Sequence, residues 1–265
     1  MSNPEDAFDL PDDIVGIEDY TESISMLVYG DPGIGKTRFA GAAKTLYLAT
    51  ENGTISARKA GNQSKVWDCV NSWEKFEQAY EWLVDNTAKD GFPFDWICVD
   101  TVTQLQLNIR RSIVEERFEL KGGSLDKVQL EEYGEDQMRL MRFVTLVNDL
   151  PNVNKLWTAH SMLVENEKGE EFRLPNMHGQ GYKVANWVAA QMHCVGYMHF
   201  ANVTNAKTQK TTKARVIQWH GTDDVIAKDR FDCLGRQTVN KNLAQITEKI
   251  LAANAVEDDA NPSQK

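Results

Sequence analysis

Tyr29-Gly30-Asp31-Pro32-Gly33-Ile34-Gly35-Lys36-Thr37 decides how this chain is read. It fits the pattern G-x-x-x-x-G-K-[ST], in which every fixed position has a chemical reason. The glycines let the backbone curl so that its N–H groups point inward at phosphate oxygens. Lys36 is placed to reach the β- and γ-phosphates of a nucleotide, and the Thr37 hydroxyl is a ligand for Mg²⁺. The expected binding segment is Gly30, Asp31, Pro32, Gly33, Ile34, Gly35, Lys36, Thr37 and Arg38. Its flanks agree with a strand–loop–helix unit. Residues 24–29 form an apolar run that reads as a buried strand, and residues 38–44 read as the following helix. ATP and Mg²⁺ are the expected ligands.

The bulk of the chain suits such a unit. Its 265 residues allow one large α/β domain or two small ones, and a hydrophobic fraction of 42% fills a sizeable core. There is no internal repeat and no Pro- or Gly-rich linker in the middle, which favours one domain over residues 23–252. No apolar run approaches a membrane span, and residues 1–6 lack the basic and apolar parts of a signal peptide. Cys69, Cys98, Cys194 and Cys233 have no C-x-x-C spacing and read as reduced core residues of a cytoplasmic protein. His193 and His199 flank Cys194 without a common zinc spacing.

The net charge is −10, but it is unevenly placed. Residues 1–22 hold Glu5, Asp6, Asp9, Asp12, Asp13, Glu18, Asp19 and Glu22 without one Lys or Arg. Residues 253–265 add Glu257, Asp258 and Asp259 against Lys265. Both segments read as acidic, disordered tails, and the body between them is neutral. That balance excludes a strongly basic, non-specific nucleic-acid binder.

Strand and helix patterns then alternate. Apolar runs at 45–50, 65–70, 95–100 and 154–161 read as strands. Helical spacing covers 72–87, 101–120 and 134–150. Such alternation gives a parallel sheet covered on both faces. Beyond Ser161 the pattern changes. Residues 162–177 read as a hairpin or mobile loop, 182–191 as a short helix, and 191–202 and 213–219 as paired strands. Residues 225–227 read as a last short strand and 237–253 as a terminal helix.

Trp96-Ile97-Cys98-Val99-Asp100 is an apolar strand ending in an acid, the expected place for a carboxylate that orders Mg²⁺ through water. Thr101 follows Asp100, so no glutamate stands directly after it to activate water. Glu51, at the end of the strand over 45–50, is the nearest alternative. Its bland reading is a turn or cap acid in Thr50-Glu51-Asn52-Gly53.

The order of phosphate loop, Glu51, Asp100 and then Trp157-Thr158-Ala159-His160-Ser161 resembles the RecA-type ATPase core. More narrowly, it is similar to the short phage-encoded RecA-like ATPases of single-strand annealing and recombination, over residues 23–235. The resemblance implies an α/β, RecA-like P-loop NTPase fold, with a mostly parallel doubly wound sheet and antiparallel C-terminal strands. It implies that His160 senses the γ-phosphate and that Lys228 and Arg230 reach a neighbouring subunit's γ-phosphate. It further implies a homo-oligomer, ring or filament, with ATP at subunit interfaces in a bacterial host's cytoplasm. Single-stranded DNA is the implied partner, with a single-strand-binding protein as a second. The family's DNA loop falls at 162–179, before the Gly-rich entry His178-Gly179-Gln180-Gly181-Tyr182-Lys183.

This chain departs from the family there. Glu165, Glu167, Glu170 and Glu171 outnumber Lys168 and Arg173, so the loop neutralises phosphate poorly. Arg110, Arg111, Arg117 and Lys121, or Lys207, Lys210 and Lys213, are alternative DNA contacts. Residues 1–22 are too short and polar to replace the N-terminal oligomerisation helix of full recombinases. The other reading is a nucleotide-dependent switch or assembly ATPase acting on a protein partner.

Overall fold

The computed structural model describes residues 23–60, 64–165, 169–204 and 208–259. The expectations for residues 1–22, Glu167, Lys168, Lys207 and residues 260–265 lie outside the described residues. In chain order, β1 (Ser25–Gly30) leads through the glycine loop into α1 (Lys36–Ala40), β2 (Thr45–Ala49) and β3 (Lys65–Asp68). Helix α2 (Trp73–Asn86) precedes β4 (Trp96–Asp100), and α3 (Val102–Lys121) and α4 (Leu130–Asn148) precede β5 (Asn154–Glu165). There follow β6 (Glu171–Pro175), α5 (Lys183–Gln191), β7 (Cys194–Thr204) and β8 (Thr211–Gln218). The last elements are β9 (Lys228–Asp229), β10 (Gln237–Val239) and α6 (Leu243–Asp259).

The main sheet has the order β10-β8-β7-β1-β5-β4-β2-β3. From β7 to β3 every pairing is parallel, while β8 runs antiparallel to both β7 and β10. The fold is the expected α/β arrangement, a mostly parallel sheet with antiparallel C-terminal strands. Residues of β1 explain it locally. All six are buried, as a central parallel strand covered on both faces requires. Leu27 and Tyr29 point into a core shared with α2, α3, α4 and α5. Met26 and Val28 point the other way, onto Phe39 of α1 and Ile246 and Ile250 of α6. Each such Leu, Val or Met contributes about 1.5–3 kcal/mol relative to exposure.

Several boundaries differ from the sequence reading. The helix after the loop is Lys36–Ala40 rather than 38–44. Gly41 follows it and lies against residue 57, where an added Cβ would stand 3.0 Å from the Ala57 carbonyl oxygen. Thr45 then donates to the Ala40 carbonyl and starts β2. Helix α4 begins at Leu130, four residues before the expected start, because Gln129 and Glu132 close a reciprocal capping box. Strand β5 runs on to Glu165 and pairs with β6, so of the two readings of 162–177, hairpin or mobile loop, the hairpin is the one formed. Residues 225–227 are not a strand: Val225 makes only isolated bridges, and the strand is Lys228–Asp229. Residues 237–239 pair with β8 instead of opening the last helix, and Thr238 accepts the Trp219 indole N–H at 2.9 Å. Helix α6 continues to Asp259 rather than ending at 253. Cys69, Cys98 and Cys194 are buried thiols and Cys233 is half-buried, all unpaired. Among the described residues no helix is long and apolar enough to cross a membrane.

Candidate nucleotide-binding site

Parallel pairing brings the chemistry to one edge. The register sets Gly30 beside His160, Asp100 beside Thr158, and Ala49 beside Asp100. The C-terminal ends of β1, β2, β4 and β5 therefore share the crevice where open α/β sheets bind ligands. The loop needs two of its glycines for definite reasons. A Cβ at Gly30 would lie 2.3 Å from the Met198 carbonyl oxygen. Gly35 has φ 105°, and a Cβ there would stand 2.6 Å from the Arg215 guanidinium.

Lys36 is buried, and its ammonium donates to the carbonyls of Gly30 (2.9 Å) and Asp31 (3.2 Å). Burial lowers its pKa against the pull of Asp100, Glu51 and Asp31. Asp31 accepts a hydrogen bond from Ser161, which ties the loop to β5. The Thr37 hydroxyl donates to Asp100 Oδ2 at 2.7 Å, and Thr158 donates to Asp100 Oδ1. Behind them, Tyr47 donates to the Thr37 carbonyl at 2.7 Å. Burial is the largest influence on Asp100 and lifts its pKa, against the hydroxyls of Thr158 and Thr37 and the charge of Lys36. A hydroxyl and a carboxylate facing each other are hard oxygen donors, the set that suits Mg²⁺. A cation there would also favour the charged form of Asp100, which burial disfavours.

Glu51 lies past the end of β2. Its Oε2 is 3.1 Å from His160 Nε2 and accepts from the Thr101 hydroxyl at 3.4 Å. Burial alone would raise the Glu51 pKa. The hydrogen bond and charge of His160, with Lys36 and Thr101, outweigh burial and hold it below the usual glutamate range. His160 is fixed from behind, its backbone N–H donating to Thr103 Oγ1 at 3.1 Å. Thr50 and Thr101 clamp the strand ends through reciprocal 2.8 Å bonds. Lys36, the Thr37–Asp100 pair and the Glu51–His160 pair thus gather in one crevice, with Lys36 in the electrostatic field of Asp100 and Glu51.

Lys228 and Arg230 do not join it. Lys228 and Asp229 pair with Val195 and Cys194, at the start of β7, so they lie at the opposite edge of the sheet from the phosphate loop. Both cations donate to the Ala190 carbonyl, at 3.0 and 3.3 Å. Burial and the charge of Arg230 push the Lys228 pKa down to about 8. Of the alternative cations, Arg110 is paired with buried Asp136, and Arg117 with Glu132.

Two site residues escaped the sequence reading. Arg215, on β8, donates through Nε to the Ile34 carbonyl at 2.6 Å and covers one side of the loop. Thr158 is the hydroxyl partner of Asp100. Arg215 lies 180 residues beyond Gly35 and carries no motif. Thr158 stood inside the quoted Trp157–Ser161 segment, where its place two residues before His160 was the available signal.

The family model AAA_24, described as an AAA domain, matches residues 22–231, and the chain belongs to that family. No curated protein matches it. The chain therefore carries an AAA-type ATPase domain with a P-loop NTPase core.

Proposed function

We propose that this AAA-domain protein binds ATP with Mg²⁺ and hydrolyses it to drive work on single-stranded DNA, in phage-type annealing or recombination. The observation that carries the hydrolytic part is the 3.1 Å contact of Glu51 with His160 beside the Thr37–Asp100 pair. The loop N–H groups and Lys36 hold the β- and γ-phosphates. Mg²⁺, when held by Thr37 and through water by Asp100, neutralises charge on the phosphate oxygens. Glu51, ionised well below neutral pH, takes a proton from the attacking water, and His160 orients that carboxylate and reads the γ-phosphate. Lys228 and Arg230 lie at the other end of the strands from their own loop; in this reading they act in trans, across the interface of a head-to-tail homo-oligomer in the host cytoplasm.

ATP turnover by the purified protein, with and without single-stranded DNA, tests this reading. Stimulation that disappears in Lys36→Ala supports it, and turnover indifferent to every nucleic acid sinks its DNA half. The second reading, a nucleotide-dependent switch acting on a protein partner, is favoured by the acidic mouth of the β5–β6 hairpin, where Glu165 pairs with Glu171.

A further inference from the structure

Strand β7 leaves its neighbour β1 after Met198, and β8 leaves β10 at Val216. The segments 199–204 and 211–216 continue together as a two-stranded ribbon beyond the sheet, on the phosphate-loop side. Side chains on a ribbon alternate between faces. Phe200 is opposite Arg215, Asn202 opposite Lys213, and Thr204 opposite Thr211, so these residues share one face.

That face has an unusual make-up. Phe200 is 49% exposed, and the Lys213 ammonium stands 5.1 Å from its ring centroid. Between Glu171 and Asp223 the sequence has no acid at all, in a protein of net charge −10. Lys213 is exposed on the ribbon, Lys210 is exposed just before its second strand, and Arg215 is at its root. Lys213 over Phe200 would by itself serve as a cross-strand pair that stiffens the ribbon. Stiffening does not account for an exposed ring on strands that hold no acid of their own. An aromatic platform flanked by cations and short polar groups is the surface a single strand uses, with bases stacking and phosphates neutralised. The other candidates compare poorly: the β5–β6 hairpin sets Glu165 against Glu171, and Arg110 and Arg117 are held by carboxylates.

We propose that the Phe200–Lys213 face of the β7–β8 ribbon is the single-stranded DNA site, with a base stacked on Phe200 and a phosphate on Lys213. This rests on the DNA reading above. Because Arg215 ends the same face and holds the Ile34 carbonyl, a strand lying on the ribbon also touches the support of the phosphate loop.

The test is fluorescence anisotropy of labelled oligothymidine with the full chain, over a salt series. Phe200→Ala should weaken binding by about tenfold or more, while Phe200→Tyr retains it. Lys213→Gln should lower the slope of log affinity against log salt by about 0.7. ATP affinity without DNA should not change in any of the three. Photocrosslinking of the wild-type protein to iodouracil-bearing oligonucleotide should map to 199–204 or 210–215, a readout that needs no variant to fold. If the wild type binds single strands but the variants keep its affinity and salt slope, the ribbon assignment is overturned and the DNA reading stands. If the wild type binds no single strand at all, both are overturned.

Discussion

At the C-terminal edge of the parallel strands, Lys36 gives its ammonium to two carbonyls of its own loop, within the field of Asp100, Glu51 and Asp31. At the opposite edge, Lys228 and Arg230 share one carbonyl, that of Ala190, and each other's positive charge. At the first edge acids and hydroxyls are hydrogen-bonded, and the Lys36 ammonium sits on loop carbonyls within the field of the acids. The second holds cations without a carboxylate within ion-pair distance among the described residues. A site whose parts already touch can act within one subunit. Lys228 and Arg230 lie at the far end of the strands from their own loop, so for either to meet a nucleotide phosphate a second subunit would have to bring it.

The largest effect belongs to the first edge. Lys36→Ala should cost ~2–5 kcal/mol of ATP affinity, the usual loss when a buried charged partner is removed. Titration calorimetry reads it, and unchanged affinity would break the comparison at its stronger side. Glu51→Gln should keep ATP binding and slow hydrolysis by roughly 10²–10⁴-fold. The pH profile sharpens this. The Glu51 carboxyl ionises below the usual glutamate range, so hydrolysis should persist as pH falls through that range and fail only beneath it. An acid limb at or above an ordinary glutamate pKa would remove the base assignment.

The second edge should behave differently. Arg230→Ala should lower turnover by roughly tenfold where subunits assemble, in line with one lost charged hydrogen bond, and leave dilute protein unaffected. Mixing Arg230→Ala with Glu51→Gln subunits should restore part of the rate through the interface where both groups are intact. Equal loss at every dilution, with no rescue, would place Arg230 in the fold rather than in trans.

The smallest effect concerns Lys155, buried at that same edge with its ammonium on the Leu150 carbonyl. Burial pushes its pKa down to about 8 from 10.5, so the unfolded chain binds more protons between those values. Its contribution to stability therefore rises with pH across that window. Wild type minus Lys155→Met should gain on the order of 1 kcal/mol between pH 7.5 and 10, measured by denaturant melts.

The two edges also differ in how legible they are from sequence. Phosphate loop and Asp100 were legible because each is a local pattern whose chemistry needs contiguous residues. Parallel strands carried Glu51 and His160 to the same crevice, so their meeting followed from strand ends alone. Arg215 was not legible: only the antiparallel return of β8 sets it against Ile34. The start of α4 was missed because Gln129, rather than Ser or Thr, closes its capping box. The segment 237–239 reads as helix from sequence because the helical spacing in 243–250 extends backward, while the Trp219–Thr238 bond that holds it as a strand is tertiary. Arg110 and Arg117 read as free cations for the same reason, since their partners Asp136 and Glu132 come from the facing helix.

Cys233 gives this arrangement a practical handle. Cys69, Cys98 and Cys194 are fully covered, whereas Cys233 is half-buried in the turn after Arg230, where Asp229 accepts its backbone N–H at 2.9 Å. A maleimide dye should attach there in the unmodified protein, without prior removal of other thiols. Burial and the Asp229 charge raise the thiol's pKa, so labelling calls for mildly alkaline buffer. The dye would then sit beside Lys228 and Arg230, where its emission would show in real time whether a second subunit docks there.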